Sequence, residues 1–281
     1  MITVTGATGN IGRTLVDLLA AAGEEVVAVS RQPRTAGTPA GVRWSRADVG
    51  EAASLRPALE GARALFLMLG GELNHRGESP TTLLDAAAQA GVERIVLVSS
   101  QVSATRPDAP SHARLREFEA AVRAWGRDFT VLRPSGFASN AFAWAETVRA
   151  ERTVFAPFGD VALPVIDPAD IAAVAAAALR EDGHAGRVYE LTGPEPISPR
   201  RQAAAISEAL GEDVTFVELS RADAQARMAR FMPEQVAAGT LDVLGAPLPA
   251  EQRVSPAVDT VLGRPAGPFA DWVARNLPAF R

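Results

Sequence analysis

The chain contains no cysteine and no lysine. The first absence excludes disulfides and thiolate chemistry. The second makes all 28 basic residues arginine, so no ammonium can serve as acid, base or Schiff-base nucleophile. Tyrosine occurs once, at Tyr189, and the three histidines, His75, His112 and His184, stand too far apart for metal-ligand spacing. A net charge of −5 gives no electrostatic reason to expect nucleic acid or an anionic membrane as partner. No run of about 18 apolar residues exists, so nothing is long enough to span a bilayer. Because the first residues enter an apolar strand at once, no room is left for a signal peptide, and the expectation is a cytoplasmic, metal-free protein.

What is present suits an enzyme of ordinary build. With 281 residues, 47% hydrophobic and 22% charged, the chain can bury the core of one large domain, or of a domain with a small lobe. Short apolar runs at 2–5, 25–30, 42–45, 64–69, 94–99 and 129–132 alternate with helix-like stretches at 11–22, 52–60, 80–90 and 111–125. Apolar runs without polar alternation belong to a sheet covered on both faces. The pattern predicts an α/β fold: a Rossmann-type, doubly wound parallel sheet with a small C-terminal α/β substrate lobe. Gly23, Gly61, Gly91 and Gly126 stand near helix ends, where a left-handed cap favours glycine. In the second half, Asp167-Pro168-Ala169-Asp170 reads as a helix start, with Asp167 as N-cap and an alanine-rich helix following to about Arg180. A strand at 187–191, a helix at 199–210, a strand at 214–219 and helices to about Val243 complete the reading, and proline and glycine thicken between Gly245 and Pro268. The nucleotide domain is expected over 1–150, completed by parts of 160–195, with the lobe over 196–281.

The densest signal is Thr5-Gly6-Ala7-Thr8-Gly9-Asn10-Ile11-Gly12, which leaves the first strand and opens the first helix. A tight glycine turn there lets backbone N–H groups approach a pyrophosphate while the positive end of the helix faces the anion. Gly6, Thr8, Gly9, Asn10, Ile11 and Gly12 are therefore candidate cofactor residues, since the pattern sits in the strand-to-helix context that the motif requires.

Further segments follow in a recognisable order: Ile95–Ser100, Leu132-Arg133-Pro134-Ser135-Gly136-Phe137-Ala138-Ser139-Asn140, Asp170-Ile171-Ala172 and Tyr189-Glu190-Leu191-Thr192-Gly193-Pro194. With the glycine loop they resemble the NmrA-like, atypical short-chain dehydrogenase/reductase proteins, over roughly residues 1–220. The chain is most similar to their quinone- and azo-reductase-like members. The resemblance implies an NAD(P)-binding Rossmann fold with substrate held between the sheet and the lobe. It leaves the reaction open, because the family also contains regulators that bind a dinucleotide without turning it over.

The end of the second strand meets the adenosine ribose, where a carboxylate favours NAD and a basic residue favours the 2′-phosphate of NADP. Val29-Ser30-Arg31-Gln32-Pro33-Arg34 holds no carboxylate. Ser30, Arg31 and Arg34 are thus candidates for a phosphate clamp, and NADP(H) is expected in preference to NAD(H). Asp48 resembles the acidic position near the adenine, though a helix N-cap explains it as well. Leu69-Gly70-Gly71 resembles the loop that passes the nicotinamide ribose, with a simple turn as the alternative.

Ordinary short-chain reductases set a tyrosine four residues before a lysine on one helix face. That arrangement is impossible here. The equivalent helix carries Ser111-His112-Ala113-Arg114-Leu115-Arg116, in which His112 and Arg116 share the four-residue spacing. Histidine exchanges protons near neutral pH, so His112, Arg116 and the strand-end Ser99 are the catalytic candidates. Ser99 is also a candidate nicotinamide contact, and Ser100, Gln101, His112, Phe137 and Asn140 are substrate candidates. Gln101 to Pro110 reads as a lid or a surface loop, and Phe137, Phe142 and Trp144 as an aromatic wall or as lobe packing. Tyr189 reads as strand packing and His75 as an exposed loop residue. The leading expectation is NADPH-dependent reduction of a small conjugated electrophile (quinone, enone, iminium or similar), where positioning carries most of the rate. A non-catalytic dinucleotide sensor and a non-redox isomerase or cyclase of the same fold are the alternatives, and a homodimer is possible.

Overall fold

A computed structural model of the chain describes residues 1–33, 37–70 and 77–281; Arg34, Gly71 and His75 lie outside them. Its centre is a seven-stranded, all-parallel sheet. The strands are β1 (Ile2–Val4), β2 (Val26–Ser30), β3 (Val42–Arg46), β4 (Ala64–Met68), β5 (Arg94–Val98), β6 (Asp128–Pro134) and, further along the chain, β8 (Arg187–Leu191). Their spatial order is β3-β2-β1-β4-β5-β6-β8. The order reverses between β1 and β4, which opens the crevice where such sheets bind ligands.

Alternation within each strand divides the core in two. Ile2, Val4, Val26, Ala28, Ala64, Phe66, Val96 and Val98 face α1 (Asn10–Ala21) and α7 (Pro168–Arg180). Val27, Val29, Leu65, Leu67, Ile95 and Leu97 face α2 (Ala52–Leu59), α3 (Pro80–Gln89) and α5 (Ala113–Ala124), with α4 (Val102–Thr105) between β5 and α5. Helix α7 buries Ala172, Ala175, Ala176 and Ala178, small side chains that suit its close packing on α1 and the sheet. Asp167 caps it as its sequence suggests, accepting from the Ala169 N–H at 2.9 Å. Gly23 and Gly91 take positive φ, 80° and 88°, just after α1 and α3.

The smaller lobe is discontinuous in sequence. Its core joins residues of 138–156 to others of 203–206 and 269–280. Helix α6 (Ala145–Glu151) leads into β7 (Thr153–Ala156), which pairs in parallel with β9 (Thr215–Glu218), while α8 (Pro199–Leu210) packs beside them. Helix α6, strand β7 and the helices beyond Gly245 are not among the elements expected from the sequence. The remaining helices are α9 (Arg221–Met228), α10 (Glu234–Gly245), α11 (Pro249–Gln252), α12 (Ala257–Leu262) and α13 (Phe269–Asn276). Trp272 of α13 meets Phe142 edge-on, with ring centroids 4.9 Å apart, and Phe280 at 6.2 Å. Phe142 is thus lobe core rather than a wall of the crevice, and Trp144 packs against the same cluster. Among the described residues, no helix is long and apolar enough to cross a membrane.

Candidate active site

The glycine loop is held by its own backbone. Gly6 takes φ 63°, the Gly9 N–H donates to the Gly6 carbonyl at 2.9 Å, and the Ala7 N–H donates to the Val29 carbonyl at 3.1 Å. Those bonds tie the loop to its own turn and to β2. Gly12 then lies so close that a Cβ there would sit 2.2 Å from the Gly6 oxygen. No side chain caps α1, so its first-turn N–H groups face the crevice without a protein partner of that kind. An anion is what such an end accepts. Thr5 lies beneath: its hydroxyl donates to the Phe66 carbonyl (3.0 Å) and accepts from the Met68 N–H (2.9 Å), locking β1 to β4 at the reversal. The cradle therefore fits the pyrophosphate of a dinucleotide, with Gly6, Gly9 and Gly12 leaving the backbone bare; Thr8 and Asn10 stand beside it, whereas the Ile11 side chain is buried in the core.

At the adenosine end, the Ser30 hydroxyl lies 3.3 Å from that of Thr8 and accepts from the Gln32 N–H. Arg31 is exposed and forms no ion pair with the described residues. Asp48 Oδ1 accepts from the Gly50 N–H at 2.8 Å in a local turn ahead of α2; the Ala52 N–H of that helix is met by Glu78 instead. Leu69 is buried and Gly70 exposed at the end of β4, with open space where a Cβ would be.

At the carboxyl ends of β5 and β6, the two serines differ. Ser99 follows Ile95 and Leu97 onto the α5 side, is 6% exposed, and donates to Glu119 Oε1 at 2.6 Å with Ser103 at 3.2 Å. Its hydroxyl is engaged in a buried network with Glu119 and Ser103. Ser100 follows Val96 and Val98 onto the α1 side, remains half-buried, and accepts from the Val102 N–H. Arg133 on β6 grips the same Glu119 through two bonds, one of them 2.9 Å. Burial by itself would raise the Glu119 carboxyl; the hydrogen bonds from Arg133 and Ser99 outweigh it and hold the pKa below the usual value.

Gln101 to Pro110 is neither a free lid nor a bare loop. Gln101 is buried with its amide donating to the Ala250 carbonyl (3.2 Å), a contact that anchors this segment to α11. Arg106 forms a bidentate pair with the buried Glu251 (2.8 and 2.9 Å), which also accepts from Thr105 and the Leu248 N–H. Helix α4 is thereby clamped to α10 and α11. Two similar clasps, Arg264 to Asp170 and Arg275 to Asp167, hold the C-terminal segment on α7. None of these partners is near the other in sequence.

His112 ends a 3-10 turn (Pro110–His112) just before α5, and Arg116 lies in the first turn of that helix. His112 Nδ1 is 2.9 Å from the Ser111 hydroxyl, and Arg116 Nη2 donates to the Ala109 carbonyl at 2.9 Å while Nη1 is buried without a hydrogen-bond partner among the described residues. Phe137 packs half-buried against the sheet core, with its backbone bridged to Ile166, and Asn140 is exposed on the following 3-10 turn. Tyr189 is on the outermost strand, 2.9 Å from His184 Nδ1, as the strand-packing reading expects. The networks around Glu119 and Glu251 join segments distant in sequence; their short-range pairs are Glu119–Arg123, Ser99–Ser103 and Leu248–Glu251.

The family described as NAD(P)H-binding matches residues 6–182. A relative from Streptomyces griseus, (4-alkanoyl-5-oxo-2,5-dihydrofuran-3-yl)methyl phosphate reductase, is 38% identical over 100% of this chain and 99% of its own. NAD(P)H azoreductase of Xenophilus azovorans is 32% identical over the same shares, 100% and 99%. Among solved structures, the NADPH-dependent quinone oxidoreductase of Escherichia coli complexed with NADPH superposes with a TM-score of 0.82 at 29% identity, covering 99% of this chain and 100% of that one.

Proposed function

The chain belongs to the NAD(P)H-binding family and is an NAD(P)H-dependent reductase; we propose that it prefers NADPH and reduces a small, flat, conjugated electrophile. The observation that carries this reading is the cradle, where Gly12 closes on Gly6 at a helix end without a side-chain cap; Arg31, exposed and with no ion pair among the described residues, is the group we assign to the 2′-phosphate. The similar reductases act on an unsaturated lactone, azo compounds and quinones by their names, and all three are electron-poor conjugated systems. Reduced nicotinamide, when bound, supplies a hydride to such an acceptor. The residues of this chain do the rest: the loop and β2 end orient the dinucleotide, Phe137 and Ser100 border the acceptor, and His112 at the start of α5 delivers a proton. An electrophilic acceptor suits a site with no tyrosine–lysine pair, because positioning supplies most of the acceleration. A cytoplasmic setting fits a cysteine-free reductase and is part of the same proposal.

The test is loss of reduced-nicotinamide absorbance with a quinone, an unsaturated lactone and an azo dye, each with NADPH and NADH. Acceptor-dependent oxidation that is faster with NADPH is the expected result. Tight cofactor binding with no acceptor-dependent oxidation would make the protein a dinucleotide sensor instead.

A further inference from the structure

Strands β2 and β3 pair in parallel with Ser30 opposite Arg46. In-register neighbours point to the same face of a sheet, on strands about 4.8 Å apart. That face is known from the residues below: Val26 and Ala28 on β2, with Val42 and Trp44 on β3, pack toward α1 and α7. Ser30 and Arg46 thus emerge together at the carboxyl end, on the side of the phosphate loop, and the Ser30–Thr8 contact marks the junction. Arg46 is exposed and, like Arg31, forms no ion pair with the described residues. The nearest acidic residue along the chain, Asp48, is turned toward the Gly50 N–H.

We infer that Arg46 is a specificity-determining residue that receives the 2′-phosphate of NADPH together with Arg31, over the Ser30 hydroxyl. The inference rests on the NADPH preference proposed above. Two guanidinium groups match the charge and the planar hydrogen-bonding of a phosphate. Arg31 stands on a loop after β2, whereas Arg46 is carried by a strand, so its backbone is already fixed when the ligand arrives. NADH leaves both cations as they are in the free protein and so gains nothing from them, whereas NADPH is held by both.

The experiment uses 2′,5′-ADP and 5′-AMP, which differ only in the 2′-phosphate, titrated calorimetrically into the full-length protein, so no turnover is needed. R46Q is expected to weaken 2′,5′-ADP about tenfold and 5′-AMP less than about twofold. R46K should retain part of the preference, and R46E should reverse it, which separates a lost contact from a misfolded variant. A wild-type protein that discriminates while R46Q and R46E discriminate equally well overturns the role of Arg46 and leaves the NADPH preference standing. Equal affinity of the wild-type protein for both nucleotides overturns the preference itself, and the role of Arg46 with it.

Discussion

The two ends of the crevice treat their polar groups in opposite ways. At the β1–β2–β3 end the helix is uncapped, glycines keep the backbone bare, and Arg31 and Arg46 have no ionic partner among the described residues. At the β5–β6 end the polar groups are spent on the protein: Ser99 and Arg133 on Glu119, Gln101 on Ala250, Arg106 on Glu251. One end is built to receive charge, and the other is braced. Under the function proposed above, a dinucleotide would bring its phosphates to the first end. Under the same proposal the acceptor would meet the second end, where a rigid frame positions a conjugated ring system.

That contrast can be broken most sharply at Gly12. G12A forces a Cβ onto the Gly6 carbonyl, so the loop must move; we expect about 3 kcal/mol less stability and at least about 100-fold weaker NADPH binding. Thermal unfolding and a fluorescence titration read the two effects, and unchanged binding would remove the cradle from the cofactor site. Next is R106A, which leaves Glu251 buried without its cation and should cost about 3 kcal/mol in chemical denaturation with cofactor affinity little changed. A loss under about 1 kcal/mol would mean that α4 is held by packing rather than by its clamp.

The same clamp sets an acid limit. Burial pushes the Glu251 carboxyl up, but bonds from Arg106, the Leu248 N–H and Thr105 prevail and hold its pKa below the usual value, as Arg133 and Ser99 do for Glu119. A carboxylate with a depressed folded pKa stabilises fully above its unfolded value, near 4.5, and loses that contribution as pH falls through the folded one. Stability should therefore fall on acidification below about pH 4.5, and E251Q should flatten that limb; a limb identical in both proteins assigns the acid sensitivity elsewhere.

Smaller again is H112A. A lost general acid should lower turnover about tenfold and alter the pH–rate profile, whereas an unchanged profile leaves water as the proton source. The smallest effect is expected for Y189F, which deletes only the contact to His184 on the edge strand. Less than about 1 kcal/mol of stability and no turnover should be lost; a large rate effect would contradict its distance from the crevice.

Much of this was legible in residue order. The glycine loop, the Asp167 cap and the doubly covered strands are local signals, because turn sterics, capping and side-chain alternation act over a few neighbours. The second half was less readable. Strand β7 is four residues long and gains its identity only from β9, more than fifty residues on; α13, by contrast, carries a local apolar face of Phe269, Trp272 and Val273 that a reading of the sequence could have found. Ser99 and Ser100 look alike in sequence, yet the two-residue period of β5 turns one into a buried network and leaves the other half-buried on the crevice side. Gln101 and Arg106 read as loop polarity because their partners, Ala250 and Glu251, come from the far end of the chain.

By itself, then, the sequence determined the sheet architecture, the place of the phosphate loop and the absence of any tyrosine–lysine pair, since each follows from residue type and short-range spacing. Only the tertiary structure decided which polar residues are committed to clamps and that Arg46 stands beside Ser30. Strand register and the burial of charge are settled between segments distant in the chain, where no local pattern records them.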